Sequence, residues 1–319
     1  MPGDKPRRIV ALCGGVGGAK LAYGLAHALP PHDLTVIVNT GDDFDHFGLR
    51  ICPDVDTVMY TLSGNDNRDT GWGRAAESWS VMDEVGRLSG ETWFKLGDRD
   101  LALHLLRRQL LDSGERLTRV TQELAVRLGV QSAVLPMSDD PVRTIVETAD
   151  GDLAFQEYFV RGRCEPKMTG FRFEGAVQAA PSREVEDALS HAGLRGIVIC
   201  PSNPYVSIGP MLAIEGIRER LERASVPVLA VSPIVAGRAI KGPAAKMMAE
   251  LGGPVSALHV ARLYGKLIDG MLVDEQDRTL LGERHDEDPK LFVAHTVMRT
   301  PEDRVALASE CLRLLEELR

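Results

Sequence analysis

Five carboxylates fall within fifteen positions, Asp42, Asp43, Asp45, Asp54 and Asp56, in the runs Asn39-Thr40-Gly41-Asp42-Asp43-Phe44-Asp45-His46 and Ile51-Cys52-Pro53-Asp54-Val55-Asp56-Thr57. Such oxygens are the ligands Mg²⁺ prefers, one or two per ion beside phosphate and water. Cheaper uses exist. Asp42 and Asp43 suit a turn or a cap, and Asp54 and Asp56 follow Pro53, where a helix start would welcome their charge. Upstream, Cys13-Gly14-Gly15-Val16-Gly17-Gly18-Ala19-Lys20 sets four glycines in five positions between an apolar strand and a helix. Glycine lets backbone approach a phosphate, and the first N–H groups of a helix are unpaired. A plain tight turn would use the same residues.

Other segments carry related groups. Phe94-Lys95-Leu96-Gly97-Asp98-Arg99-Asp100 places two cations and two acids around a glycine. Lys95 and Arg99 together would neutralise a diphosphate or orient a carboxylate, with Asp98 and Asp100 fixing the arginine; surface pairing explains them too. Pro201-Ser202-Asn203-Pro204 offers a hydroxyl and an amide at a strand end, suited to a phosphate, a base edge or a turn. Pro136-Met137-Ser138-Asp139-Asp140-Pro141 reads as a turn, and Lys241 and Lys246 as anion contacts or solvated side chains. The eight histidines make no His-Glu-x-x-His or Ser-His-Asp pattern, so none is assigned a catalytic role; His46 alone lies in a rich stretch.

The elements that must position these groups alternate between strand and helix. Strands are predicted at Arg8–Leu12, Leu34–Val38, Ser132–Leu135, Ala154–Val160, Gly196–Cys200, Val226–Val231, Gly270–Val273 and Leu291–His295, with a closing helix over Pro301–Leu318. Leu21, Leu25, Ala28 and Leu29 recur at helical spacing after the glycines. From about 57 to 130 strand signals fade into amphipathic helices, read as an insertion that either lids a cleft or packs as an extra layer. The fold class is α/β, Rossmann-like, a mostly parallel sheet flanked by helices in one domain over 1–319.

Two nucleotide motifs are excluded. A dinucleotide fingerprint needs glycine where Lys20 stands and an acid at the tip of the second strand, which here is Asn39. A Walker loop needs Gly-Lys followed by Ser or Thr, whereas Lys20 lies between Ala19 and Leu21. The 319 residues, 44% of them hydrophobic, suffice for a large core, and a net charge of −9 speaks against nucleic acid and for small-molecule partners. Five scattered cysteines without metal-site spacing suit a reducing compartment, with Cys13 a packing residue. The short polar opening and the lack of a long apolar run lead to an expected cytoplasmic location and no membrane association.

Taken in order, the glycine run Gly14–Lys20, Asn39–Asp43, Cys52–Thr57, Lys95–Asp100, Met137–Asp140 and Pro201–Pro204 resemble the motifs of the 2-phospho-L-lactate transferase family of deazaflavin coenzyme F420 biosynthesis. The resemblance runs from about Ile9 to Gly253. It implies transfer of a phospholactyl-type group, or its phosphoenolpyruvate or 3-phosphoglycerate equivalent, from a guanosine diphosphate-linked donor to a ribityl hydroxyl of the deazaflavin Fo, with release of GMP. Implied roles follow. Gly14, Gly15, Gly17, Gly18 and Lys20 would hold the donor diphosphate, and Asp42, Asp43 and Asp56 would bind Mg²⁺ or position the acceptor hydroxyl. Lys95 and Asp56 would contact Fo, Ser202 and Asn203 the nucleotide, with Asn39 and Arg99 also among the substrate contacts. Asp56 or Asp43 would take the proton. A homodimer is expected. The rival reading is a non-enzymatic nucleotide-sugar-binding regulator of the gluconeogenesis-factor type, which Phe44-Asp45-His46 and Cys52-Pro53-Asp54-Val55-Asp56 disfavour.

Overall fold

A computed structural model describes residues 8–67 and 72–319; the polar opening residues lie outside this range. The strands of the main sheet are β1 (Arg8–Cys13), β2 (Leu34–Val38), β5 (Ala133–Pro136), β9 (Leu194–Ile199), β10 (Val228–Val231), β13 (Gly270–Asp274) and β14 (Lys290–Ala294), numbered by their place among all fourteen strands. They lie in the order β14-β13-β10-β9-β1-β2-β5, every neighbouring pair parallel. Such strands are covered on both faces, so they read as unbroken apolar runs. Alternation then sorts them. Ile9, Ala11 and Cys13 enter one buried cluster with Leu21, Leu25, Leu307 and Leu314, while Val10 and Leu12 enter the other with Ile197, Ile217, Leu221 and Val260.

The first face is covered by α1 (Gly15–Ala28), α2 (Pro53–Leu62) and the long C-terminal helix α11 (Pro301–Glu317), with α5 (Leu117–Arg127) beside them. Between α2 and β5 the described residues hold only helices as regular elements, α3 (Ser80–Arg87), α4 (Asp98–Asp112) and α5, apart from one isolated bridge between Asp66 and Arg74. On the other face lie α6 (Arg183–Leu189), α8 (Glu215–Glu222) and α10 (Ala257–Tyr264), with the short α7 (Gly209–Leu212) and α9 (Ala244–Glu250).

Two features depart from the sequence expectation. The strand expected over Ala154–Val160 ends at Ala154, and a wide helical turn spans Glu157–Arg161. Phe155 and Tyr158 are both buried, a three-residue interval that suits a helix and not a strand. Second, β6 (Arg143–Thr148), β7 (Gly151–Ala154) and β8 (Met168–Glu174) form a separate antiparallel sheet, of which only the edge of β7 was anticipated. Two small hairpins, β3–β4 (Phe44–His46 and Leu49–Ile51) and β11–β12 (Ile234–Val235 and Arg238–Ala239), complete the strands.

Candidate active site

Chain order within the sheet reverses between β1 and β9, and in open parallel sheets ligands bind beyond the carboxyl ends of the strands at that reversal. The glycine run and Pro201–Pro204 meet there. Ser202 Oγ accepts from the Gly14 N–H at 3.0 Å and donates to the Gly14 carbonyl at 2.8 Å. Asn203 caps the following turn, its Oδ1 accepting from Tyr205 and Val206. The Ser202 hydroxyl and the Asn203 carbonyl oxygen thus act on protein backbone.

The glycines also differ from expectation. The helix begins at Gly15, so Gly17 and Gly18 lie inside α1 and not in a loop. A Cβ on Gly17 would stand 2.5 Å from the Pro201 carbonyl oxygen, and one on Gly18 would stand 2.5 Å from Ser202 Oγ. Close packing of α1 against the β9 loop is what these two positions require. Gly15 has a φ of +65°, the left-handed turn that aims α1. Its N–H donates to Asp54 Oδ1 at 2.7 Å, so a carboxylate stands where a phosphate was expected.

Asp54 belongs to a buried polar cluster. Asn39, at the tip of β2, donates through Nδ2 to Asp54 Oδ2 at 2.9 Å and to Asp42 Oδ1 at 3.2 Å, while its Oδ1 accepts from Gly41. Gln156 donates to the other Asp42 oxygen at 2.9 Å. Burial pushes the Asp54 carboxyl up to about 6, against the hydrogen bonds from Asn39 and Gly15. It raises Asp42 well above the carboxylate range, with the charges of Asp54 and Asp43 adding to it. Asp43 is raised by burial too, opposed by Arg50, whose Nε lies 3.4 Å from Asp43 Oδ2. Among the described residues Asp43 Oδ1 is buried without a hydrogen-bond partner. Buried carboxylates next to one another resist ionisation, a strain a divalent cation would relieve; among the described residues the group whose ligand atoms come within 4.8 Å of one another is instead Asp56, Asp100 and His104.

Asp56 does not join them. The expected trio Asp42, Asp43 and Asp56 fails to converge because Pro53 starts a helix, and on a helix residues two apart point in different directions. Both Asp56 oxygens face the wholly buried Arg107 of α4, Nη1 reaching Oδ2 at 3.1 Å and Nη2 reaching Oδ1. Arg107 Nη1 also lies 3.0 Å from His104 Nδ1, which must therefore be the acceptor. The His104 proton then sits on Nε2, 3.3 Å from Asp100, and Asp100 accepts from Tyr60 Oη at 2.6 Å. This network fastens α4 to α2.

The remaining site residues divide. Lys95 and Arg99 are exposed. Asp98 does not fix Arg99; it accepts from Ser80 N and Val81 N at the start of α3, while Glu77 caps α4 through Arg99 N and Asp100 N. Lys20 Nζ donates to the Met298 carbonyl at 3.0 Å. An aromatic group that spacing did not mark stands beside Lys95. Phe44, His46, Trp93 and Phe94 lie within 4.8 to 6.1 Å of one another, centroid to centroid, and Arg161 covers Trp93. Such a group collects residues from a hairpin and a distant loop, so no local signal could have shown it.

The fold is that of a Rossmann-like α/β protein whose buried polar cluster lies at the sheet's reversal point. The sequence profile of the family described as "2-phospho-L-lactate transferase CofD" matches residues 9–309. The chain belongs to that family and is a transferase. It is 44% identical over 319 residues to the "Phosphoenolpyruvate transferase" of Streptomyces griseus subsp. griseus, covering 98% of this chain and 99% of that one. It is also 44% identical to the protein of the same name from Thermobifida fusca, over 85% of this chain and 87% of that one. Among solved structures, a member of the UPF0052 family from Bacillus halodurans matches with a TM-score of 0.62 at 19% identity, over 97% of this chain and all of that one. That last likeness speaks to the fold. Among the described residues no helix is long and apolar enough to cross a membrane.

Proposed function

We propose that the protein transfers an enolpyruvyl phosphate group from a guanosine diphosphate-linked donor to a ribityl hydroxyl of the deazaflavin Fo, releasing GMP. The observation that carries this reading is near end-to-end similarity to two phosphoenolpyruvate transferases. It favours phosphoenolpyruvate over the phospholactate and 3-phosphoglycerate alternatives.

In this reading Asp42 and Asp54, aligned by Asn39, would hold Mg²⁺, with Asp43 adjoining. The ion, when bound, spreads the charge of the diphosphate oxygens. The chain's own residues do the rest. The flat deazaflavin lies on the aromatic group of Phe44, His46, Trp93 and Phe94, with Lys95 at its margin. The acceptor oxygen forms a bond to the phosphorus bearing the enolpyruvyl group as the bond from that phosphorus to the GMP oxygen breaks, and the hydroxyl proton passes to Asp43. A carboxyl raised by burial is a better proton acceptor near neutral pH than an ordinary one. Asp56 acts from behind, through Arg107 and the packing of α4 on α2, as a positioning residue.

The test incubates the chain with Fo, Mg²⁺ and each of the three guanylylated donors, and measures GMP and the new fluorescent product. Turnover with the enolpyruvyl donor, together with an increase in KM for Fo at unchanged melting temperature in Lys95→Ala, is expected. Binding of nucleotide with no turnover on any donor would transfer the chain to the regulator reading.

A further inference from the structure

Lys20, the last residue of the glycine run, opens onto a pocket of about 320 Å³ beside α1. Among the described residues, Lys20, Lys241, Arg299 and Arg304 line it together with the carboxylate of Asp66. Val16 lines it as well, one helical turn before Lys20, so the pocket starts next to the glycine turn and runs ~6 Å along α1.

Arg304 is the unusual member. It is 5% exposed, and its guanidinium lies 5.0 Å from the centre of the Tyr23 ring. Among the described residues its Nε and Nη1 have no hydrogen-bond partner, and the Asp66 oxygen nearest Nη2 is 3.8 Å away, beyond hydrogen-bonding reach. Leaving donors of a buried cation unmatched is costly, so a fold retains such a group where something else completes it. Its placement is not slack. Thr300 and Asp303 close a reciprocal cap at the start of α11, and Pro301 opens the helix, which sets Arg304 against the pocket. Lys20 responds to the same field: burial and the charges of Arg304 and Lys241 lower its proton affinity, with Asp66 only partly opposing them.

By contrast, the Gly15 N–H at the head of α1 donates to Asp54. We propose that this basic pocket, one turn along from the glycines, takes a phosphate group of the nucleotide donor. The inference rests on the transferase reading for the identity of its ligand. Phosphate matches the site because its several oxygens can accept from the Arg304 guanidinium and the Lys20 ammonium at once.

The experiment titrates GDP and, separately, inorganic pyrophosphate into the full chain with Mg²⁺ at fixed ionic strength, for wild type, Arg304→Gln and Lys20→Gln, alongside thermal unfolding. We expect each variant to bind GDP at least tenfold more weakly, with Arg304→Gln no less heat-stable than wild type. Pyrophosphate binding that weakens in parallel shows that the pocket also accepts free phosphate; GDP binding alone shows that it needs the nucleotide. Wild-type GDP affinity in folded variants overturns the proposal, and if Arg304→Gln does not fold, Lys20→Gln decides it. Should the chain turn over its substrates while both variants keep their GDP affinity, only the pocket assignment falls. Should GDP affinity depend on Arg304 while no donor turns over, the pocket stands and the transferase reading falls.

Discussion

Replacing Asp54 by Asn should remove a pH-dependent loss of stability from the metal-free protein and lower its activity. Against this stands a pH-independent cost, because the amide nitrogen cannot accept, so Gly15 and Asn39 no longer both have an acceptor. In the folded chain burial holds the Asp54 carboxyl up to about 6, from an ordinary value of 3.8. Well below pH 3.8 the group is protonated whether the chain is folded or not, so there the difference between wild type and variant is only the constant cost of the substitution. As pH rises past 4 the unfolded chain ionises first, so the wild type loses stability progressively until the folded carboxyl has also ionised, above about 6. A shift of about two pH units corresponds to ~3 kcal/mol. With an unfolding entropy of ~2.1 cal/mol/K per residue, that is about 4 °C in melting temperature for a chain of this length. The assay is thermal unfolding of both proteins in EDTA from pH 3.5 to 8. Taking the difference between them cancels the other carboxylates to first order, although relief of Asp42 adds in the same direction. Added Mg²⁺ should raise the wild type at pH 7.5 and leave the variant nearly unmoved. A difference between the two proteins that does not change with pH would refute the picture of a strained, buried carboxylate.

Two further substitutions probe the scaffold behind the site. Arg107→Met leaves Asp56 buried without its partner and should cost about 3–5 kcal/mol, read by urea unfolding, with most of the loss recovered when Asp56→Leu is added. Ser202→Ala removes the hydroxyl that serves both the N–H and the carbonyl of Gly14, and should cost ~1–3 kcal/mol in the same assay.

The apolar runs at Arg8–Leu12, Leu34–Val38, Gly196–Cys200 and Gly270–Val273 were legible as strands because a strand buried on both faces has no polar side to confuse it. Their alternation with helices made the parallel sheet legible too. The small antiparallel sheet was not. Arg143–Thr148 and Met168–Glu174 are half-exposed strands carrying charge, and they pair across twenty or more positions. Within the site, the glycines and the acidic runs announced themselves by composition, while their division of labour did not.

That division depends on direction and distance. Local sequence sufficed for the strand, the helix that starts at the glycines and the helix that Pro53 opens, since each follows from backbone geometry within a few residues. It placed Asp54 and Asp56 two positions apart, and nothing local says which of the two meets Gly15. Tertiary packing decides it: α2 lies along α1 so that Asp54 faces the glycine turn, and Asp56 faces Arg107, 51 positions away. The same packing sends Lys20 toward Arg304 and away from the turn its glycines form. A side chain's chemistry is written in its own residue, but whether it becomes a ligand, a base or half of an ion pair depends on which charges and how little water surround it, and those come from distant parts of the chain.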